Sequence, residues 1–432
     1  MPSVPLWLIK VTRSYFRCLI KLGAMEETGM SKKQNQFSRR DFLKTAGAAT
    51  VGSLLGASET MGKISEGSGT ELAVVPTRPF GKTGARVSVL SLGGMFDIPS
   101  NQLLLKQALK WGVTYWDTAD CYEGGGSERG IGKFFAKYPE NREKLFIVTK
   151  SDARDPRSMT RLLNRSLERM KTDYVDLYFA HGISSIDELD DDTRAWAEKA
   201  KAEAKIKFFG FSTHSNMEEC MLEAAKLSWI DGIMMTYNYR LMNKSKMQEA
   251  VAACTEAGIG LTAMKTQGGW SSGSSSAAKL VDSFIQKGFT DKQARLKAVW
   301  ENPNIASVCS QMPNLTILMS NVAAAMGRTS LSARDLHLLD QYARETASNY
   351  CAGCSNICQT ALAEDIPVAD VMRYLMYHQS YDDYDRARSL YARLSPDIRE
   401  RIGNVDYSLA ENRCPQGIPI GKAMRKAQKL FA

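Results

Sequence analysis

Three ionisable side chains stand where apolar strand patterns end. Asp117 closes the pattern at 114–117, Lys150 closes the one at 145–150, and His181 follows the one at 175–180. The residues before each are mostly apolar, so a charge at that point is out of place unless it has a partner or a chemical task. A second set of reactive side chains comes late in the chain. Cys351, Cys354 and Cys358 fall within eight residues, and Cys414 follows at a distance, next to Pro415. The other five cysteines, Cys18, Cys121, Cys220, Cys254 and Cys309, are scattered, as small buried hydrophobes usually are.

The elements that must position the first set alternate between two periodicities. Strand patterns fall at 87–92, 114–117, 145–150, 175–180, 205–211, 232–237, 260–264 and 306–309. Helical patterns lie between them, for example at 101–111, 127–138 and 158–170, where Leu162, Leu163 and Leu167 share a face. Strand–helix alternation over roughly 250 residues predicts a parallel sheet with right-handed crossovers, and eight units predict a closed (β/α)8 TIM barrel. Barrel enzymes build their chemistry on the C-terminal rim of the strands, and that is where Asp117, Lys150 and His181 fall.

Several segments carry a more specific signal. They are Arg78-Pro-Phe-Gly-Lys-Thr-Gly84, Ser91-Leu-Gly-Gly94, Trp116-Asp-Thr-Ala-Asp-Cys-Tyr122, the glycines 124–126 with Ser127 and Glu128, Ile147-Val-Thr-Lys150, and Thr172-Asp-Tyr-Val-Asp-Leu-Tyr178 running on to His181. In this order and at these intervals, over about residues 77–327, the chain resembles the aldo/keto reductases. The resemblance implies a catalytic group of Tyr122 as proton donor, Lys150 as its modulator, Asp117 as the partner of Lys150, and His181 orienting the substrate oxygen. The chemistry is coherent. Hydride transfer to a carbonyl leaves an alkoxide that needs a proton, and a phenol near pKa ~10 is a poor acid at neutral pH unless the site lowers it. An ammonium beside the phenol is expected to do so.

The resemblance also implies an NAD(P)H site at the barrel mouth. Ser212 and Thr213, in Gly210-Phe-Ser-Thr-His214, correspond to the nicotinamide contacts. Gln311, Asn314 and Asn321 correspond to the phosphate loop, and Lys265 is placed to supply a charge to the pyrophosphate. Met234 stands where the family commonly has glutamine, and Met264 where it has a stacking aromatic. The phosphate loop carries no basic residue to grip a 2′-phosphate, which leaves NAD and NADP both open. The implied substrate is a small aldehyde, ketone or sugar-like alcohol.

The late cysteines read Cys351-Ala-Gly-Cys354-Ser-Asn-Ile-Cys358, then Cys414-Pro415. Three thiolates from one loop and a fourth from elsewhere are similar to ferredoxin-type ligation of a four-iron four-sulfur (4Fe–4S) cluster. A branch of the aldo/keto reductases carries such an extension, and Asp406 to Pro415 and Gly417-Ile-Pro-Ile420 resemble it. Four thiolates also suit structural zinc, and disulfides are a third reading, disfavoured by the tight spacing. A cluster leaves room for a redox partner. It also sustains a different function class, an iron–sulfur electron carrier or binding module on a catalytically quiet barrel.

Residues 38–44 read Ser38-Arg-Arg-Asp-Phe-Leu-Lys44, and small and apolar residues follow to Ala57. This resembles a twin-arginine export signal, with cleavage expected near Ala57 or Ser58, and implies the twin-arginine machinery as partner and the periplasm or cell envelope as destination. That route carries folded proteins, which suits a cofactor inserted before export. The ordinary form of such a leader begins at Met30, so translation is expected to start there or at Met25. The expected division is a leader and linker over 1–70, a barrel over 71–329 and a helical cluster-binding extension over 330–432. Of 432 residues, 44% are hydrophobic and 24% charged, the profile of a soluble globular chain. No run reaches the roughly 18 apolar residues of a membrane span. The net charge of +9 draws partly on leader residues such as Lys10, Arg13, Arg17, Lys32 and Lys33. Without basic runs interleaved with aromatics in the body, nucleic acid is not an expected partner.

Overall fold

The computed structural model describes residues 74–267 and 275–432. A short antiparallel hairpin, β1 (Thr77–Pro79) and β2 (Arg86–Ser88), precedes the barrel. Eight parallel strands then close on themselves: β3 (Leu90–Gly93), β4 (Tyr115–Asp117), β5 (Phe146–Ser151), β6 (Val175–Ile183), β7 (Ile206–Thr213), β8 (Gly232–Thr236), β9 (Gly260–Met264) and β10 (Ile305–Gln311), with β10 pairing back onto β3. The single strand expected at 87–92 is divided at Val89. Its first half pairs with β1 and its second half enters the barrel. The hairpin closes the N-terminal end of the barrel. The ring of Phe80 is fully buried there, so close to the first residues of β8 and β9 that a Cβ at Gly232 or Gly260 would come within 2.8 or 2.5 Å of it. Only glycine fits under that plug.

The helices that cover the barrel are α1 (Gln102–Lys110), α2 (Gly126–Lys137), α3 (Pro156–Met170), α4 (Asp191–Ala202), α5 (Met217–Ala224), α6 (Ser245–Glu256), α7 (Ser275–Gln286), α8 (Asp291–Trp300) and α9 (Leu315–Met326). Helix α3 shows why the sequence folds this way. Asp155 accepts a hydrogen bond from the Ser158 amide, Pro156 takes the first turn, and Met159, Leu163, Leu167 and Met170 line the buried face. A profile of the whole architecture therefore emerges from local rules, with the polar residues left over at the strand ends.

Beyond the barrel come α10 (Ala333–Glu345), α11 (Ser355–Cys358), α12 (Val368–Tyr381), α13 (Tyr384–Tyr391), α14 (Pro396–Arg401), α15 (Ser408–Arg413) and α16 (Ile420–Phe431). Helix α10 shares a core with barrel residues: Leu339 and Tyr342 pack with Tyr239, Leu280, Phe284 and Phe289. The later helices have a core of their own, built on Ile366, Val371, Leu375, Tyr391, Ile402, Met424 and Phe431. This second core is seated on the C-terminal ends of β7, β8 and β9. Asn238 donates to the Tyr350 hydroxyl at 2.9 Å, the Asn216 amide donates to the Gly353 carbonyl at 2.9 Å, and Lys265 reaches the Tyr377 hydroxyl at 3.4 Å. The approach at Gly353 (φ +84°) is close enough that a Cβ would lie 2.2 Å from the His214 carbonyl oxygen. Among the described residues no helix is long and apolar enough to cross a membrane.

Candidate active site

Strands β4, β5 and β6 deliver Asp117, Lys150 and His181 to the same rim. The Lys150 Nζ lies 2.6 Å from Asp117 Oδ1, with both side chains almost wholly buried, at 0% and 2% exposed. It also donates to the Thr118 carbonyl at 2.7 Å and reaches the Tyr122 hydroxyl at 3.5 Å. Tyr122 is placed by a single turn, Tyr122–Gly125, in which Glu123 (φ 51°) and the glycines 124 and 125 take left-handed conformations. The turn is anchored from beneath. Arg169 bridges Asp120 and Glu128, each at 3.0 Å, and Thr118 and Ser127 share a hydrogen bond at 2.6 Å. The edge of the His181 ring meets Tyr122, with centroids 6.0 Å apart. All four residues of the expected group converge.

The electrostatics correct one expectation. Burial raises the Tyr122 phenol well above its ordinary value, and Asp117 adds to the rise. The Lys150 ammonium does not reverse this, because it is shared with a carboxylate 2.6 Å away that cancels much of its field. The phenol is thus held protonated, as a proton donor must be before the reaction. Burial raises Asp117 as well, against the opposing pull of Lys150.

His181 has a partner that the motif reading missed. Its Nδ1 lies 2.9 Å from Asp152 Oδ1. A carboxylate accepts, so the neutral ring carries its proton on Nδ1 and presents Nε2 as a lone pair. Burial holds His181 below its ordinary pKa, outweighing the pull of Asp152. Donation from Nε2 to a substrate oxygen therefore requires the imidazolium or a turned ring. Asp152 could have been found by the rule that found the others, since it is a carboxylate immediately past the end of β5. The Cys121 thiol, 3.9 Å from the same Nδ1, is pushed up to about 11, chiefly by burial.

The expected cofactor positions are ordered by internal bonds. Ser212 Oγ accepts from the Gly182 amide at 3.0 Å and keeps its own O–H free. Thr213 Oγ1 donates to the Ser215 carbonyl at 2.7 Å. Gln311 donates to the Met95 carbonyl at 2.6 Å, and Asn314 caps α9 by accepting from the Ile317 amide at 3.0 Å. Asn321 sits in a buried chain, donating to Ser310 at 3.0 Å and accepting from Gln267 at 3.1 Å. Lys265 stands just past β9 in a left-handed conformation (φ 57°), its Nζ against Tyr377 of the extension.

The four late cysteines line one pocket, with Ala352, Val368, Ala369, Met372, Pro415, Gln416, Ile418 and Ile420. All four thiols are free. Burial pushes Cys351 up to about 12 and Cys354 up to about 11, and the neighbouring cysteines add to both. Such crowding of thiols is costly to ionise without a cation to receive them.

Known proteins place the chain. A profile of the twin-arginine translocation pathway signal sequence matches residues 36–56, which lie outside the described residues. The uncharacterized oxidoreductase YrpG of Bacillus subtilis is 29% identical over 208 residues, which are 42% of this chain and 64% of the relative. The chain thus spans a little under two thirds of that relative's length. Among solved structures, an aldo-keto reductase of Bacillus halodurans in its holo form superposes with a TM-score of 0.53 at 23% identity, over 62% of this chain and 96% of that one. An aldo-keto reductase of Klebsiella pneumoniae in complex with NADPH gives 0.50 at 22% identity, over 62% and 95%. These likenesses carry the barrel fold. The profile of the aldo/keto reductase family matches residues 90–333, more than half of the chain and the whole stretch from β3 through α9. The chain belongs to the aldo/keto reductase family.

Proposed function

We propose that the protein is an exported NAD(P)-dependent oxidoreductase that interconverts a carbonyl and an alcohol, with an accessory 4Fe–4S cluster in its extension. The observation that carries the catalytic reading is the Tyr122 hydroxyl 3.5 Å from a lysine that is itself fixed at 2.6 Å on a buried aspartate, with the His181 ring beside it. Ser212 and Thr213 would hold the nicotinamide end of the cofactor, with the free Ser212 O–H as donor. The N-terminus of α9 would receive its phosphates. Bound there, the nicotinamide would supply the hydride. Tyr122 gives its proton to the carbonyl oxygen, and the phenolate left behind is stabilised by Lys150. Asp117 keeps that lysine charged and aimed. Reduction of an aldehyde by NADPH, lost in Tyr122→Phe with cofactor binding retained, tests this reading.

Cys351, Cys354, Cys358 and Cys414 would hold the cluster, which supplies one-electron redox capacity. Three thiols from one loop and a fourth from elsewhere around one pocket support a cluster over a single zinc. The signal at residues 36–56 also suits a protein folded around its cofactor before export to the periplasm or cell envelope. Protein purified without oxygen should be brown and contain iron and sulfide. Cys414→Ser should lower the iron content and bleach the colour, whereas Cys220→Ser should do neither. Zinc in place of iron would remove the cluster and keep the ligands.

A further inference from the structure

The extension brings a second set of charges to the barrel mouth. Lys265 Nζ and the guanidinium of Arg386 both lie against Tyr377: the ammonium is 3.4 Å from its hydroxyl and 5.1 Å from its ring centroid, and the guanidinium is 5.0 Å from that centroid. Arg373 stands one turn before Tyr377 on α12. Among the described residues neither Lys265 nor Arg386 makes an ion pair with a carboxylate. The Arg386 Nε is buried without a hydrogen-bond partner, and so is Nδ1 of His214, the residue after Thr213. Four acids of this region are engaged elsewhere: Asp117 by Lys150, Asp152 by His181, Asp370 by Arg373 at 2.6 Å, and Asp383 by the Arg386 backbone amide, which it caps at 3.2 Å.

Two cations confined beside a phenol, with no anion opposite, raise the free energy of the empty site. The consequence is visible in their acid–base behaviour. Burial brings Lys265 down to about 8. Burial pushes the Tyr377 phenol up, but Lys265, Arg373 and Arg386 outweigh it and leave it at about 8. The field of Arg386 also reaches Tyr122 and Cys121, which sets the extension's cations within electrostatic range of the proton donor.

We propose that Lys265 and Arg386, backed by Arg373, form a subsite for an anionic group on the substrate, so that the enzyme acts on a carbonyl compound bearing a carboxylate or phosphate. This inference rests on the reductase reading and adds to it the class of substrate. A guanidinium and an ammonium against the same ring suit a planar carboxylate or a phosphate oxygen. The anion would sit on the extension side, with the carbonyl turned toward Tyr122. The extension then acts as part of the binding site as well as the seat of the cysteine pocket. The same cations could instead serve the phosphates of the cofactor, and the experiment must separate the two sources.

The measurement uses the purified full-length protein, NADPH, and two aldehydes of similar shape, para-carboxybenzaldehyde and para-nitrobenzaldehyde. The ratio of their kcat/KM values should favour the carboxylate in the wild type. In Arg386→Gln that ratio should fall on the order of tenfold, the scale of one charge-assisted hydrogen bond. The loss should appear in KM rather than kcat, and Arg386→Lys should restore part of it. Lys265→Met should lower the same ratio. The dissociation constant of NADPH, read by fluorescence, should shift by less than the ratio does. An unchanged ratio overturns the proposal, and so does an NADPH affinity that collapses while the ratio holds. If neither aldehyde is reduced, the reductase reading fails by itself. The subsite is then tested by calorimetric titration with para-(hydroxymethyl)benzoate, where equal binding by wild type and Arg386→Gln overturns it.

Discussion

Two lysine–tyrosine pairs share the rim of this barrel, and they differ in the charges around them. Lys150 beside Tyr122 has a carboxylate at 2.6 Å, whereas Lys265 beside Tyr377 has none among the described residues. Both lysines are taken out of water. The first is compensated, so its site can be fully buried and fixed. Burial then raises Tyr122 well above its ordinary value and keeps its proton in place. The second has no carboxylate partner among the described residues and has a second cation, Arg386, 5.0 Å from the centroid of the same ring. There the phenol falls to about 8 and the ammonium with it. On the proposed reading the same two residue types serve as a proton donor in one place and an anion site in the other, and the charges beside them, Asp117 in the first and Arg373 and Arg386 in the second, make the difference.

The comparison breaks most sharply at the two tyrosines. Tyr122→Phe should lower carbonyl reduction by about 10²–10⁴-fold, the usual contribution of general acid catalysis. Tyr377→Phe removes a hydrogen bond to Lys265 and no reacting proton. It should move KM for an anionic aldehyde by less than about tenfold, and kcat far less than Tyr122→Phe does. Steady-state kinetics on both variants decides this, and comparable losses in kcat would erase the distinction. Asp117→Asn should be next in size. It strands a buried ammonium, at a cost of about 3–5 kcal/mol, read as a lowered denaturation midpoint with unchanged denaturant slope. Lys150→Met in the same background should recover part of that stability, since no charge is then left unpaired, while activity stays low.

A smaller effect follows from pH. As pH rises through about 8, the Lys265–Tyr377 pair loses a proton from either partner and with it one unit of positive charge. The groups facing the pair include Arg373, Arg386 and Tyr381 from the extension, and His214 from the β7 end, which burial holds well below its ordinary value. Preference for para-carboxybenzaldehyde over the nitro compound should therefore weaken above pH 8. A preference flat well beyond that pH would mean that the pair does not face the anion.

The barrel was legible in the sequence because it rests on local signals, and so was the candidate group, whose residues the structure brings together. Asp117 and Lys150 were conspicuous as charges ending apolar strands, and Tyr122 followed from the segment around it. The cysteines were legible by spacing, and the structure gathers Cys351, Cys354, Cys358 and Cys414 around one pocket. The seat of the extension was not legible. The periodicity of α12 marks Val371, Leu375 and Tyr374 as inward, but nothing local says that Tyr377 and Arg373 on the same helix meet the barrel at Lys265 and His214. The rise of the Tyr122 pKa was missed for a related reason. Sequence shows which charges are near, but the closure that strips water from them is a property of the assembled rim.

The central claim is that Tyr122 is the proton donor of a carbonyl reduction on this rim. Single-turnover reaction of the NADPH-loaded protein with para-carboxybenzaldehyde tests it most directly, in wild type and in Tyr122→Phe, with NADPH binding measured on the same samples. The account predicts rapid loss of the reduced nicotinamide signal in the wild type. It predicts a rate at least about a hundredfold lower in the variant, at matched cofactor occupancy. Equal rates in the two proteins would assign the proton to another group, and no turnover in the wild type at full NADPH occupancy would return the barrel to a platform for the cysteine pocket.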